Sequence, residues 1–112
     1  MEHPDNIVFL RHILDAISKI EGYLARTNTN DFHQNSLIQD GIIRQLEIIG
    51  EAVRKITPEL KAIYSNVPWI DIAGTRDKLI HGYAQVDLDA VWKMATEDVP
   101  VLKRQILEIL SK

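Results

Sequence analysis

"SLIQDGIIRQLEIIGEAVRKI", residues 36 to 56, reads as one long helix and decides the fold class of the chain. Ile38, Ile42, Leu46, Ile49, Val53 and Ile56 recur at three- and four-residue steps, which aligns them on one face. The stretch spans roughly 30 Å at a helical rise of 1.5 Å per residue. Asp40, Arg44, Glu47, Glu51 and Lys55 climb a second face at similar spacing, allowing Asp40–Arg44 and Glu51–Lys55 ion pairs. Leu37, Ile43 and Ile48 are also apolar, so the apolar arc is wider than one core contact needs. A partner subunit is the natural cover for the excess.

The flanks repeat the helical pattern. Before this helix, Ile7, Leu10, Leu14, Ile17 and Leu24, flanked by Ile13 and Ile20, mark a first helix from about Asp5 to Ala25. "RTNTNDFHQN", residues 26 to 35, is polar and reads as a loop with a short turn around Phe32. After it, Thr57 and Pro58 open a short helix reaching about Tyr64. Pro68 opens another that carries Trp69, Ile72, Leu79 and Ile80 to about His81, with Gly82 as a left-handed stop. Asp87 caps "LDAVWKMATED", and Pro100 marks a break or kink before a last helix with the stripe Leu102, Ile106, Leu107 and Leu110. No strand pattern or internal repeat interrupts the series. The expectation is an all-α, antiparallel bundle of four to six helices.

Bulk properties narrow the function. At 112 residues the chain is expected to be one domain, residues 1–112. Its 46% apolar and 26% charged residues place it among globular proteins. With no cysteine, disulfides, thiolate metal sites and cysteine nucleophiles are excluded. No apolar run approaches the ~18 residues of a membrane span, and "MEHPDNIVFL" lacks the basic opening of a signal peptide. A soluble, cytoplasmic protein with no membrane contact is expected. The net charge of −3 supplies no global field toward nucleic acid, so any RNA contact has to be a local patch.

Chemistry concentrates in "GTRDKLIHGY", residues 74 to 83. Arg76 can hold a phosphoryl group through two parallel hydrogen bonds, and His81 can exchange protons near neutral pH. Five residues turn a regular helix through about 500°, which leaves the two side chains about 140° apart. They converge on one ligand only if the backbone departs from helical geometry near Gly82, or if two chains share the site. RNA carries its own nucleophile, the 2′-hydroxyl, so its cleavage needs a base, an acid and positive charge, with no metal. The same residues also admit bland roles: Arg76 pairing with Asp71 or another acid, His81 at a helix C-terminus, Tyr83 as a core-edge aromatic.

Taken as a series, the landmarks resemble the HEPN superfamily, and within it the HepT-like ribonuclease toxins of prokaryotic toxin–antitoxin pairs. The resemblance rests on "RQLEIIGEAVRKI", on "VPWIDIAGTRDKLIHGY" with its Arg-x-x-x-x-His-x-Tyr pattern, and on "VDLDAVWKMATEDVPVLKRQILEIL", and it covers nearly the whole chain. It implies an all-α homodimer with the Arg and His of both subunits in an interface cleft. Arg76 and His81 match the catalytic positions, and Asp77 matches the polar residue that orients the imidazole. Tyr83 matches the tyrosine that receives AMP from a nucleotidyltransferase antitoxin of the MntA type. The implied substrate is cellular RNA, tRNA or mRNA. The rival reading is a non-catalytic module that docks on and regulates such a nucleotidyltransferase.

Other residues carry less. Arg44, Glu47 and Glu51 are candidate cleft neighbours or a solvated salt-bridged face, and Lys78 a candidate phosphate contact. His3, His12 and His33 show no ligand spacing and read as surface or loop histidines. Trp69 and Trp92 read as core. Asp87 suits a cap and Asp89 a first helical turn, so no metal site and no cofactor are expected.

Overall fold

The computed structural model describes residues 4–79 and 85–112. Two long antiparallel helices form its frame: α1 (Pro4–Leu24) and α3 (Ser36–Lys55). Their opposite ends are joined by polar and aromatic contacts. Near the start of α1, buried Asn6 donates from Nδ2 to Thr57 Oγ1 at 2.9 Å and accepts the Thr57 amide at 3.1 Å. At the other end, the Tyr23 ring lies over Gly41, where a Cβ would meet it at 3.1 Å. Between these points Leu10, Ile13, Ala16, Ile17 and Ile20 face Ile42, Leu46, Ile49 and Val53, all buried. The expected stripe of α1 is therefore centred on Ile13 and Ile20, with Ile7, Leu14 and Leu24 at its edges.

The polar stretch after α1 does contain a turn of helix, α2 (Thr29–Phe32), capped by Asn28, whose Oδ1 accepts the Asp31 amide. Its purpose is Phe32, which is fully buried and packs on Trp92 with ring centroids 5.0 Å apart. Asn35 caps α3 in the same way through the Ile38 amide. Thr57 caps α4 (Pro58–Ile63), as its sequence indicates. Of the extra apolar residues on α3, Ile43 and Ile48 are partly covered by the core, whereas Leu37 is 81% exposed.

Two expected elements differ. The helix after Pro68 is broken into α5 (Trp69–Ala73) and α6 (Thr75–Leu79) at Gly74. The Thr75 hydroxyl donates to the Ile72 carbonyl at 2.6 Å, competing for the acceptor to which a continuous helix would direct the Arg76 amide. The expected stop at Gly82 lies outside the described residues. The last helix, by contrast, is unbroken at Pro100. α7 (Leu88–Lys93) passes through one π turn (Met94–Asp98) into α8 (Val99–Leu110). Within that turn the Val99 amide reaches back five residues to Met94 O, and Thr96 Oγ1 donates to Trp92 O. The wider turn relieves the clash between a proline ring and the carbonyl four residues back. The buried stripe of α8 is Leu102, Ile106 and Ile109, while the expected Leu107 is 47% exposed. Apolar residues run around so much of α8 that only packing selects which edge is inside.

One cluster of buried residues runs through α1, α3, α5, α7 and α8 and takes in Trp69, whose indole N–H donates to Tyr64 O. Among the described residues there is no strand, and no helix is long and apolar enough to cross a membrane.

Candidate functional site

The segment carrying Arg76 is laid against α3 at a point where α3 has no side chain. A Cβ at Gly50 would meet the Ile72 carbonyl oxygen at 3.1 Å and Ala73 O at 3.6 Å. Buried Trp69 and Thr75 anchor the segment on either side of that contact. Leu79, fully buried, ends α6, and its carbonyl accepts the Asp87 amide at 2.8 Å, which brings the two flanks of residues 80–84 together. Asp87 then caps α7 through the Ala90 amide.

Arg76, the second residue of α6, is 70% exposed and faces Glu47 of α3, with Nε 3.8 Å from Oε2. Glu47 is only 23% exposed. The acid that meets Arg76 is thus Glu47, while Asp71 pairs with Lys78 at 3.5 Å. On α3 itself Arg44 closes on Glu51, seven residues on, at 3.5 Å, in place of the expected pairing with Asp40. Lys55 lies over the Phe9 ring, 5.8 Å from its centroid, rather than beside Glu51. Asp77 and Lys78 are exposed on α6. The structure therefore brings Arg76 to Glu47 and leaves Arg44 and Glu51 as a pair about two turns apart on α3. His81 and Tyr83 lie outside the described residues, as does His3, so the expected contact of Asp77 with His81 does too.

Beside α6, Leu46, Ile49, Ile72, Thr75, Lys78 and Leu102 line part of an open groove of about 280 Å³ between α3, α5 and α8. It is a mainly apolar slot whose charged lining is Lys78, Asp71 and Asp98. Among the described residues no group of three or more His, Asp or Glu side chains is arranged to hold a metal ion.

Three features escaped the sequence reading. Gly50 and Thr75 shape the Arg76 segment, yet each looks like an ordinary helical residue until its tertiary neighbour is known. His33 is the third. Its Nδ1 lies 2.8 Å from the Thr29 carbonyl and its Nε2 2.9 Å from Asp89 Oδ1. With an acceptor at each ring nitrogen, the imidazolium satisfies both, and the His33 pKa is raised above the ordinary 6.5, first by the Thr29 carbonyl and then by Asp89.

The model of the family described as "Ribonuclease HepT-like" matches residues 13–109. A provisionally named RNase from Caldanaerobacter subterraneus subsp. tengcongensis is 38% identical over 104 residues, which are 93% of this chain and 93% of that one. A provisionally named ribonuclease HepT from Thermococcus cleftensis is 41% identical over 95 residues, 85% of this chain and 86% of the relative. A Methanocaldococcus jannaschii protein named as a gamma-glutamylcyclotransferase and provisional RNase is 39% identical over 105 residues. That match takes in 94% of this chain but 47% of the relative, so the chain spans about half the length of this one. No solved structure matches.

Proposed function

The chain belongs to the ribonuclease HepT-like family, and from that premise we propose that it is a ribonuclease whose cutting groups are Arg76 and His81. The observation that carries the reading is Arg76 itself, an exposed guanidinium paired at its root with Glu47 on a protein of net charge −3. A local cation of this kind is what an acidic protein needs to engage a phosphate.

The chemistry uses only groups of the RNA and of this chain. A base takes the 2′-hydroxyl proton as that oxygen attacks phosphorus. The bond from phosphorus to the 5′-oxygen breaks, and an acid returns a proton to the leaving oxygen. His81 is base in one protomer and acid in the other, within a homodimer. Arg76 stabilises the charge that gathers on the phosphorane-like transition state. Asp77 orients the imidazole, and no metal enters the scheme. Dimer formation is supported by apolar surface left open on α5 and α8, where Ile70 is 88% and Val101 44% exposed.

Tyr83 is the off switch. Its phenolic oxygen attacks the α-phosphorus of ATP on a nucleotidyltransferase antitoxin of the MntA type, pyrophosphate leaves, and AMP remains on the tyrosine. The added negative charge competes with RNA phosphate for Arg76. On this reading the protein is the toxin of a toxin–antitoxin pair, acting on cytoplasmic tRNA or mRNA.

The test is incubation of wild-type protein and the His81→Ala variant with total cellular RNA in EDTA, both matched for helicity and oligomeric state. Wild type should cleave, and the variant should be slower by a factor of ~100 or more. Cleavage by both would remove His81 from the mechanism. Silence from both, with mass showing AMP-free protein, would favour the non-catalytic module that regulates a nucleotidyltransferase.

A further inference from the structure

Among the charged side chains of α3 that face the motif segment, Glu47 differs from its neighbours. Arg44 and Glu51 close on each other and remain 59% and 57% exposed, as solvated surface pairs do. Glu47 is withdrawn to 23% exposure where α3 meets α6, and the cation it faces is Arg76. A carboxylate partly withdrawn from water is favoured by a charge partner nearby. The contact is an ion pair at 3.8 Å, beyond hydrogen-bond reach, and its closest approach is at one end of the guanidinium. Glu47 Oε2 lies nearest Nε, the nitrogen at the root of the guanidinium, while the side chain as a whole stays 70% exposed. Held at Nε, a guanidinium keeps its two terminal nitrogens for an outside ligand, and that edge offers the paired N–H vectors a phosphate accepts.

We infer that Glu47 is a positioning residue for RNA cleavage: its carboxylate holds Arg76 by Nε so that the terminal nitrogens are turned outward, toward the scissile phosphate. The inference rests on the ribonuclease reading above. Glu47 acts through Arg76 and touches no substrate. Its negative charge also opposes the incoming phosphate, but the guanidinium stands between the two. The backbone contact between Gly50 and Ile72 keeps α5 against α3 independently of this charge pair, so loss of the carboxylate leaves the fold intact.

The experiment compares wild type, Glu47→Gln, Arg76→Ala and the double variant in RNA cleavage, with Arg76 Nε–Hε followed by NMR in the absence of RNA. Glu47→Gln should lower kcat roughly ten-fold with KM within about two-fold, as loss of orientation does. Glu47→Asp should recover part of the loss. Because Glu47 acts through Arg76, the double variant should be no slower than Arg76→Ala alone. The Arg76 Nε–Hε signal should shift in Glu47→Gln and stay in place in Glu51→Gln. Additive losses in the double variant, or an Nε–Hε signal unmoved by Glu47→Gln, would overturn the inference. A wild-type protein that cuts no RNA overturns the ribonuclease reading instead, and the NMR result then still decides whether Glu47 holds Arg76.

Discussion

Gly50 sets how closely the Arg76 segment can lie on α3. Alanine in a helix interior is favoured over glycine by about 1 kcal/mol, so Gly→Ala would be stabilising wherever space allows. At Gly22 no atom lies within 4 Å of the added Cβ, and Gly22→Ala should raise the melting temperature slightly. At Gly50 the added Cβ meets the Ile72 carbonyl at 3.1 Å, in a segment anchored by Trp69 and Thr75 on both sides. Overpacking costs of about 1–3 kcal/mol outweigh the propensity gain, so Gly50→Ala should lower the melting temperature by a few degrees. Thermal denaturation of the two variants side by side checks both signs. Arg76 was legible in the sequence because a motif surrounds it, whereas the requirement at Gly50 was not, because it arises from a carbonyl on another element.

At the scale of elements, α2 is too short to be stable alone and exists through its contacts. Phe32 plugs the core beside Trp92, and His33 ties the turn to the first residues of α7 through Asp89. The sign of its pH dependence follows from the raised pKa. Folding favours the protonated imidazole, so the contribution is fully present below 6.5 and is lost as pH rises through the higher folded value. Wild type should therefore exceed Asp89→Asn in melting temperature at a pH of about 5.5 and converge with it near about 8.5. An NMR titration of His33 should show its midpoint fall in the variant. The sequence marked the turn around Phe32 but not the His33–Asp89 pair, which joins residues far apart in the chain. It also marked Pro100, as a break or kink; one π turn absorbs it and the helix continues through it.

For the whole molecule, net charge is −3, and the cations near the site, Arg44, Arg76 and Lys78, each face a carboxylate at 3.5–3.8 Å. Such a surface releases few counterions when RNA binds. Each phosphate contact to a single strand contributes about −0.7 to the slope of log K against log salt. The slope for single-stranded RNA should lie between about −1 and −3, and Arg76→Ala should make it shallower by about 0.7. Fluorescence-anisotropy titrations across salt would show it. A slope steeper than about −5 would mean an extended basic surface that this charge distribution does not supply.

Local chemistry determined the all-α class, the lengths of the two long helices and the caps at Thr57 and Asp87, and it marked Arg76 as a candidate, because period, capping residues and motif spacing are written within a few adjacent positions. The tertiary structure decided which edge of each broad apolar arc is buried, where the Arg76 helix breaks, and that Glu47 is the acid Arg76 meets. Those outcomes depend on what stands across the interface: a carbonyl over Gly50, α6 beside Glu47, Asp89 beside His33. A contact between residues distant in the chain has no period and leaves no local mark, so only the packed fold selects it.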